Sequence, residues 1–256
     1  MSFDSLPIWV VLLGTIGLVF LSLETGVLLG KRRLSRGGGK FEVSGAMVGA
    51  TMGLLAFMMA FTFNSASGRH DARKALVIEE ANAIRMTWLR AGFLAEPYRA
   101  DIRGWLRDYV DVRVKAARGE MGLKEAVLRS DALQDKMWAV ALEVGQNNAG
   151  SITAGLFIQA LNQVIDLHLR RLTVASRNRV PPTIWLTLYL LMAAGMVMIG
   201  AQLALSGARH FAMELALAVS FSLVLFLIAD LDRPQEGLIN VSQQAMTELQ
   251  IKLGTR

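Results

Sequence analysis

The sequence predicts an all-α membrane protein: four transmembrane helices in two hairpins, with a helical extramembrane domain inserted between spans two and three. Three observations predict it. Hydrophobic residues fill 53% of the 256 positions, and the mean hydropathy of +0.40 is too high for an ordinary soluble domain. The apolar residues pool in two pairs of long runs toward the chain ends. The middle third instead carries charges at helical spacing, with little of the alternation that marks strands.

The elements follow in order. Span one covers 8–29 and span two 43–63, each close to the ~20 residues that cross about 30 Å of hydrocarbon. Before span one only Asp4 is charged, and the apolar run is too long for a signal-peptide core, so the first span is read as retained. Lys31-Arg32-Arg33-Leu34-Ser35-Arg36-Gly37-Gly38-Gly39-Lys40 forms a short basic turn with a glycine hinge. Spans three and four, 182–205 and 211–229, form a second hairpin about Ser206-Gly207-Ala208-Arg209-His210. The domain boundaries are therefore 1–67 for the first hairpin, 68–180 for the extramembrane domain, 181–230 for the second hairpin and 231–256 for a tail.

Within the inserted domain the expected helices are 71–94, 97–118, 123–144 and 152–177, broken at Glu96-Pro97 and by the glycines of 119–122 and 145–150. Little between Phe63 and Asp71 except Gly68 would stop span two from continuing out of the membrane as one rod. Pro181-Pro182 removes amide donors and favours a bend before span three.

Cysteine is absent, which excludes disulfides, thiolate metal sites and cysteine nucleophiles. The formal charge of +6 is read as topological, because basic residues flank spans and meet anionic head groups. The lipid bilayer is thus an expected partner and nucleic acid is not.

Gly45, Gly49 and Gly53 recur every fourth residue along span two, and Phe57 and Phe61 extend that ridge to Asn64. Two readings are open. Bare backbone on one ridge suits a packing seam inside one protomer. It also suits the lining of a pore in an oligomer, with Phe57 and Phe61 forming an apolar neck that gates by dewetting. Arg69, Arg73 and Lys74 follow at the mouth of the span as a candidate basic vestibule.

The run Phe61, Phe63, Asn64-Ser65-Ala66-Ser67, Arg69 and Ala72-Arg73 resembles the end of the second membrane helix in bacterial bestrophin-type channels. Asp230-Leu231-Asp232-Arg233-Pro234-Gln235-Glu236-Gly237 resembles the acidic, proline- and glycine-containing element after their fourth span. With Asn82-Ala83-Ile84 and the Asp-Arg-Pro turn, the chain is most similar to the bacterial bestrophin-like domain family, over most of its length. The resemblance implies a homo-oligomeric ion channel, pentameric in the bestrophin arrangement, with span two on the axis and small inorganic ions as cargo.

Other charged residues are weighed on geometry. Glu24 and Glu214 lie inside spans, where snorkelling toward a span end competes with a role in a proton or cation relay. Asp230, Asp232 and Arg233 suit an interfacial ion-pair knot that Pro234 closes. Metal ligation by Asp230, Asp232 and Glu236 is the alternative, weak because oxygen-only ligands in so short a loop are not selective. Asp166 and His168 sit two apart, on different helix faces, so they form no catalytic dyad. Glu79, Glu80 and Arg85 read as helix pairing and a solvated or interprotomer face. No residue set seats an enzyme, a cofactor or a metal.

Orientation rests on two opposed counts. Five basic residues between spans one and two, Lys31, Arg32, Arg33, Arg36 and Lys40, place that turn in the cytoplasm by the positive-inside rule. The bestrophin resemblance and the basic residues on the domain side put the domain there instead. The short first turn is weighted more, which sets the domain in the periplasm of a bacterial inner-membrane protein. The expected function is a homo-oligomeric, anion-permeable channel. The alternatives are a non-conducting scaffold or sensor binding a protein through its helical domain, and a carboxylate-dependent proton-coupled transporter.

Overall fold

Long stretches free of proline, which occurs at only five positions, let each segment close its backbone hydrogen bonds locally. The computed structural model describes residues 7–36, 45–147, 150–177, 179–206, 211–233 and 237–254. Among the described residues all regular structure is helical: α1 (Ile8–Ser35), α2 (Gly45–Ala91), α3 (Tyr98–Ala117), α4 (Leu123–Asn147), α5 (Ile152–Arg177), α6 (Pro182–Ser206), α7 (Phe211–Asp232) and α8 (Gln244–Gly254). The expected span two and the expected helix 71–94 are one element, the 47-residue α2, which at 1.5 Å per residue is about 70 Å long. Val43 and the turns Gly37–Lys40 and Gly207–His210 fall outside the described residues.

The chain divides into two units. The first holds Met1–His70 and Arg179–Asn240, and its four helices are each long and apolar enough to cross a membrane. Its core joins Val19, Leu23 and Val27 of α1, Leu55 and Met59 of α2, Leu188, Met192 and Met196 of α6, and Ala218, Leu225 and Ile228 of α7. Helix α1 packs on α6 and α7. The approach to α6 is close because glycines meet backbone: a Cβ on Gly26 would lie 2.0 Å from Val197 O, and one on Gly200 would lie 2.0 Å from Leu23 O. Gly30 faces Ala204 in the same seam. Small residues that let backbones touch replace the hydrophobic drive that lipid removes. At the other end of α1, Thr15 Oγ1 and Tyr189 Oη are 3.0 Å apart.

The second unit holds Asp71–Asn178 and Val241–Arg256. Ile84 and Trp88 of α2, Ile102, Leu106 and Tyr109 of α3, Met137 of α4, and Phe157, Leu161 and Val164 of α5 form its core. Helix α8 completes that core with Met246, Leu249 and Leu253. Two bonds fix it to α3: Arg107 Nε donates to Leu253 O (2.9 Å) and Gln250 Nε2 donates to Asp111 Oδ1 (2.7 Å). Arg103 and Arg107 lie 5.1 and 4.8 Å from the Trp88 ring centroid, a cation–π arrangement that covers the indole.

Candidate functional site

In the membrane unit, the two faces of α2 have opposite surroundings. Val48, Leu55, Met59, Thr62 and Ala66, at helical spacing, are buried against the other helices. The opposite face carries Gly49, Gly53, Phe57, Phe61 and Asn64, all exposed. A Cβ on Gly49 or Gly53 would meet nothing within 4 Å, and Phe57 and Phe61 are 65% and 62% exposed. Among the described residues, the ridge at Gly49 and Gly53 therefore forms no packing seam within the chain. The seam that is present uses Gly26, Gly30 and Gly200, which sequence reasoning passed over although Gly26 and Gly30 show the same four-residue spacing.

The three candidate vestibule cations part company. Arg69 Nη1 donates to Ser65 Oγ (3.1 Å), and its Nε lies 3.6 Å from Asp232 Oδ1. Arg73 is only 8% exposed, whereas Lys74 is exposed. Lys74 is thus the exposed cation of the trio, while Arg69 and Arg73 are drawn into the chain.

The end of α7 forms a clamp with the residues around it. The Val180 N–H donates to both Asp232 oxygens (2.9 and 3.2 Å). Asp230 accepts from the Leu238 N–H (2.7 Å) and the Ile239 N–H (2.9 Å). Gly237 is needed there, since a Cβ would lie 2.4 Å from Asp230 Oδ1. Arg233 is buried beside them, and Pro234 and Glu236 lie outside the described residues. Two backbone donors, one on each oxygen, fix the orientation of the Asp230 carboxylate. Among the described residues no group of three or more acidic or histidine side chains forms a metal site. Glu214 is 2% exposed in the first turn of α7, where a carboxylate meets the positive end of the helix dipole. Glu24 is half-buried in α1.

In the second unit one expectation is corrected. Glu79 and Arg85 are exposed, but Glu80 is fully buried rather than on a solvated face. Tyr109 Oη donates to Glu80 Oε1 (2.7 Å), Arg113 Nε lies 3.4 Å from the same oxygen, and Arg171 engages Oε2. Burial alone would raise the Glu80 carboxyl, but Arg113 and Arg171, with the Tyr109 bond, hold it below the usual carboxylate range. Burial, followed by the Glu80 charge, pushes the Tyr109 phenol well above its ordinary value. His168 joins this group and leaves Asp166 outside: its Nδ1 lies 3.1 Å from Tyr109 Oη, and its Nε2 lies 3.2 Å from Asp131 Oδ1. These partners come from four helices, so no local pattern pointed to them.

Four apolar spans and a helical unit define a multi-pass all-α membrane protein. The chain belongs to the bestrophin-like domain family, which matches residues 12–246. Its fold is similar to that of a bacterial bestrophin homologue from Klebsiella pneumoniae, at 14% identity and TM-score 0.69 over 94% of this chain and 96% of that one. A point variant of that homologue, an isoleucine replaced by threonine, gives 14% identity and TM-score 0.65 over 94% and 98%. A membrane protein solved as a proline-to-alanine variant gives 17% identity and TM-score 0.61 over 96% and 97%. No curated protein matches the chain.

Proposed function

We propose that the protein is a homo-oligomeric ion channel, pentameric as the bestrophin resemblance implies, with α2 lining the pore and Phe57 and Phe61 as its apolar neck. The observation that carries this reading is the unused face of α2. Gly49, Gly53, Phe57 and Phe61 repeat at helical spacing and are all exposed, and among the described residues nothing lies within 4 Å of a Cβ on Gly49 or Gly53, as on a face turned toward a central axis. Rings of phenylalanine at the narrowest point would exclude water until the pore widens. Anion preference rests on a basic entrance at which Lys74 is the exposed cation, since the Asp232 contact offsets the charge of Arg69.

The same reading sets the protein in the bacterial inner membrane as a set of two hairpins flanking the inserted domain. The basic end of α1 is then cytoplasmic and the extramembrane unit periplasmic. Labelling a single introduced cysteine from either side tests that orientation, because the chain has none of its own.

Single-particle imaging of detergent-purified protein tests the ring. A closed ring with Phe57 and Phe61 around a central passage is expected. A monomer, or a ring lined by another helix, sinks the reading. In bilayers, Phe57→Ala with Phe61→Ala is expected to raise leak conductance, with a reversal potential under asymmetric salt that reports the preferred ion. Unchanged currents from well-folded protein would count against this neck.

A further inference from the structure

The extramembrane unit buries a chain of titratable groups that conduction does not use. It contains three contacts in series: Tyr109 Oη to Glu80 Oε1 (2.7 Å), Tyr109 Oη to His168 Nδ1 (3.1 Å), and His168 Nε2 to Asp131 Oδ1 (3.2 Å). A hydrogen bond at each contact would need three protons. With a neutral imidazole the chain holds two, one on the phenol and one on the ring.

The surroundings decide where those two sit. Glu80, kept ionised by Arg113 and Arg171, accepts the phenolic hydrogen bond at the shortest of the three distances. Gln134 Nε2 also donates to Tyr109 Oη, at 3.4 Å, so that oxygen acts as an acceptor on its other side. The network thereby assigns the ring proton to Nδ1. Nε2 is left as a bare lone pair facing the Asp131 carboxylate. Nε2 is buried and lies 3.2 Å from Asp131 Oδ1 but out of line for a hydrogen bond, so a donor there engages Asp131 only after the exposed carboxylate turns.

We infer that His168 is a proton-uptake switch: as the pH falls, a third proton enters between Nε2 and Asp131 and turns an acceptor–acceptor contact into a charge-assisted hydrogen bond. The charged and titratable groups around it are Glu80 from α2, Tyr109 and Arg113 from α3, Asp131 from α4 and Arg171 on α5 itself. With the ring neutral, two carboxylates balance two guanidiniums; an imidazolium adds one buried positive charge. Burial, then Arg113, holds the imidazole below its ordinary 6.5 against the pull of Glu80 and Asp131. Asp131 is half-exposed and gives the proton its way in from solvent.

Linkage fixes the direction of the effect. Because the folded imidazole titrates below the unfolded value of 6.5, the unfolded chain takes up the proton first. His168's contribution to stability is full above about pH 6.5 and is lost as the pH falls toward the folded midpoint.

Magic-angle-spinning NMR of full-length, histidine-labelled protein in liposomes tests the inference, with His168→Gln assigning the signal among the three histidines. The expected result is the neutral Nδ1–H tautomer at about pH 7.5, converting to imidazolium with a midpoint below 6.5. In Asp131→Asn the amide supplies the missing hydrogen without charge, so proton affinity should drop roughly tenfold or more, about one pH unit. An Nε2–H tautomer in the wild-type protein overturns the inference even where the variant fails to fold, and so does an unchanged midpoint in a folded variant. None of these readouts depends on ion conduction.

Discussion

Two glycine ladders run through the membrane unit, and they do opposite things. Gly26 and Gly30 on α1, with Gly200 on α6, are filled by a neighbouring backbone or side chain. Gly49 and Gly53 on α2 face open space. Their spacing is alike, so spacing alone reports only that a helix has a thin ridge. What distinguishes the ladders is what lies opposite, and that belongs to the tertiary structure. The filled ladder holds α1 against α6; the empty one leaves a face of α2 uncovered by the described residues.

The sharpest way to break the comparison is Gly26→Val or Gly200→Val. In each case the new Cβ would sit 2.0 Å from a carbonyl oxygen of the facing helix, and backbone cannot swing aside as a side chain can. Loss of folded protein is expected, read by yield and thermal melting in detergent. Alanine at either position should still cost roughly 1–3 kcal/mol, the usual range for overpacking. A full-stability Gly26→Ala protein would show that the seam is looser than described. A smaller effect on folding, with a specific effect on assembly, is expected for Gly49→Leu with Gly53→Leu. Melting of the protomer should hold, while native mass spectrometry should show loss of the ring. An intact ring of unchanged conductance would mean that this face meets lipid.

Much of the fold was legible in the sequence because membrane physics is insistent. Runs of about 20 apolar residues admit few alternatives, and the sparse prolines left long helices unbroken, including the continuation of span two. The resemblance carried by Phe61 to Arg73 and by the segment after α7 led to the family that matches 12–246. The site was only partly legible. Asp230 and Asp232 were marked as an interfacial knot, but their partners include Arg69, Val180, Leu238 and Ile239, which no local spacing announces. Glu80 was misplaced on a solvated face because a charged residue is rarely buried. Only the arrival of Arg113, Arg171 and Tyr109 from other helices makes that burial affordable. The pairing of His168 with Asp131 was hidden for the same reason.

The unbroken run of α2 has a consequence for how the gene can vary. Each residue added to a helix turns everything beyond it by about 100° and advances it about 1.5 Å. In the membrane-spanning part of α2, a single insertion between Leu55 and Met59 would swing Met59, Thr62 and Ala66 a quarter-turn or more out of phase with Val48 and Leu55. Seven inserted residues, nearly two whole turns, would restore the angle to within about 20°. Insertions and deletions in this stretch should therefore survive selection in lengths close to whole turns, about seven, eleven or eighteen residues, a periodicity that relatives of this chain would carry as a frozen length.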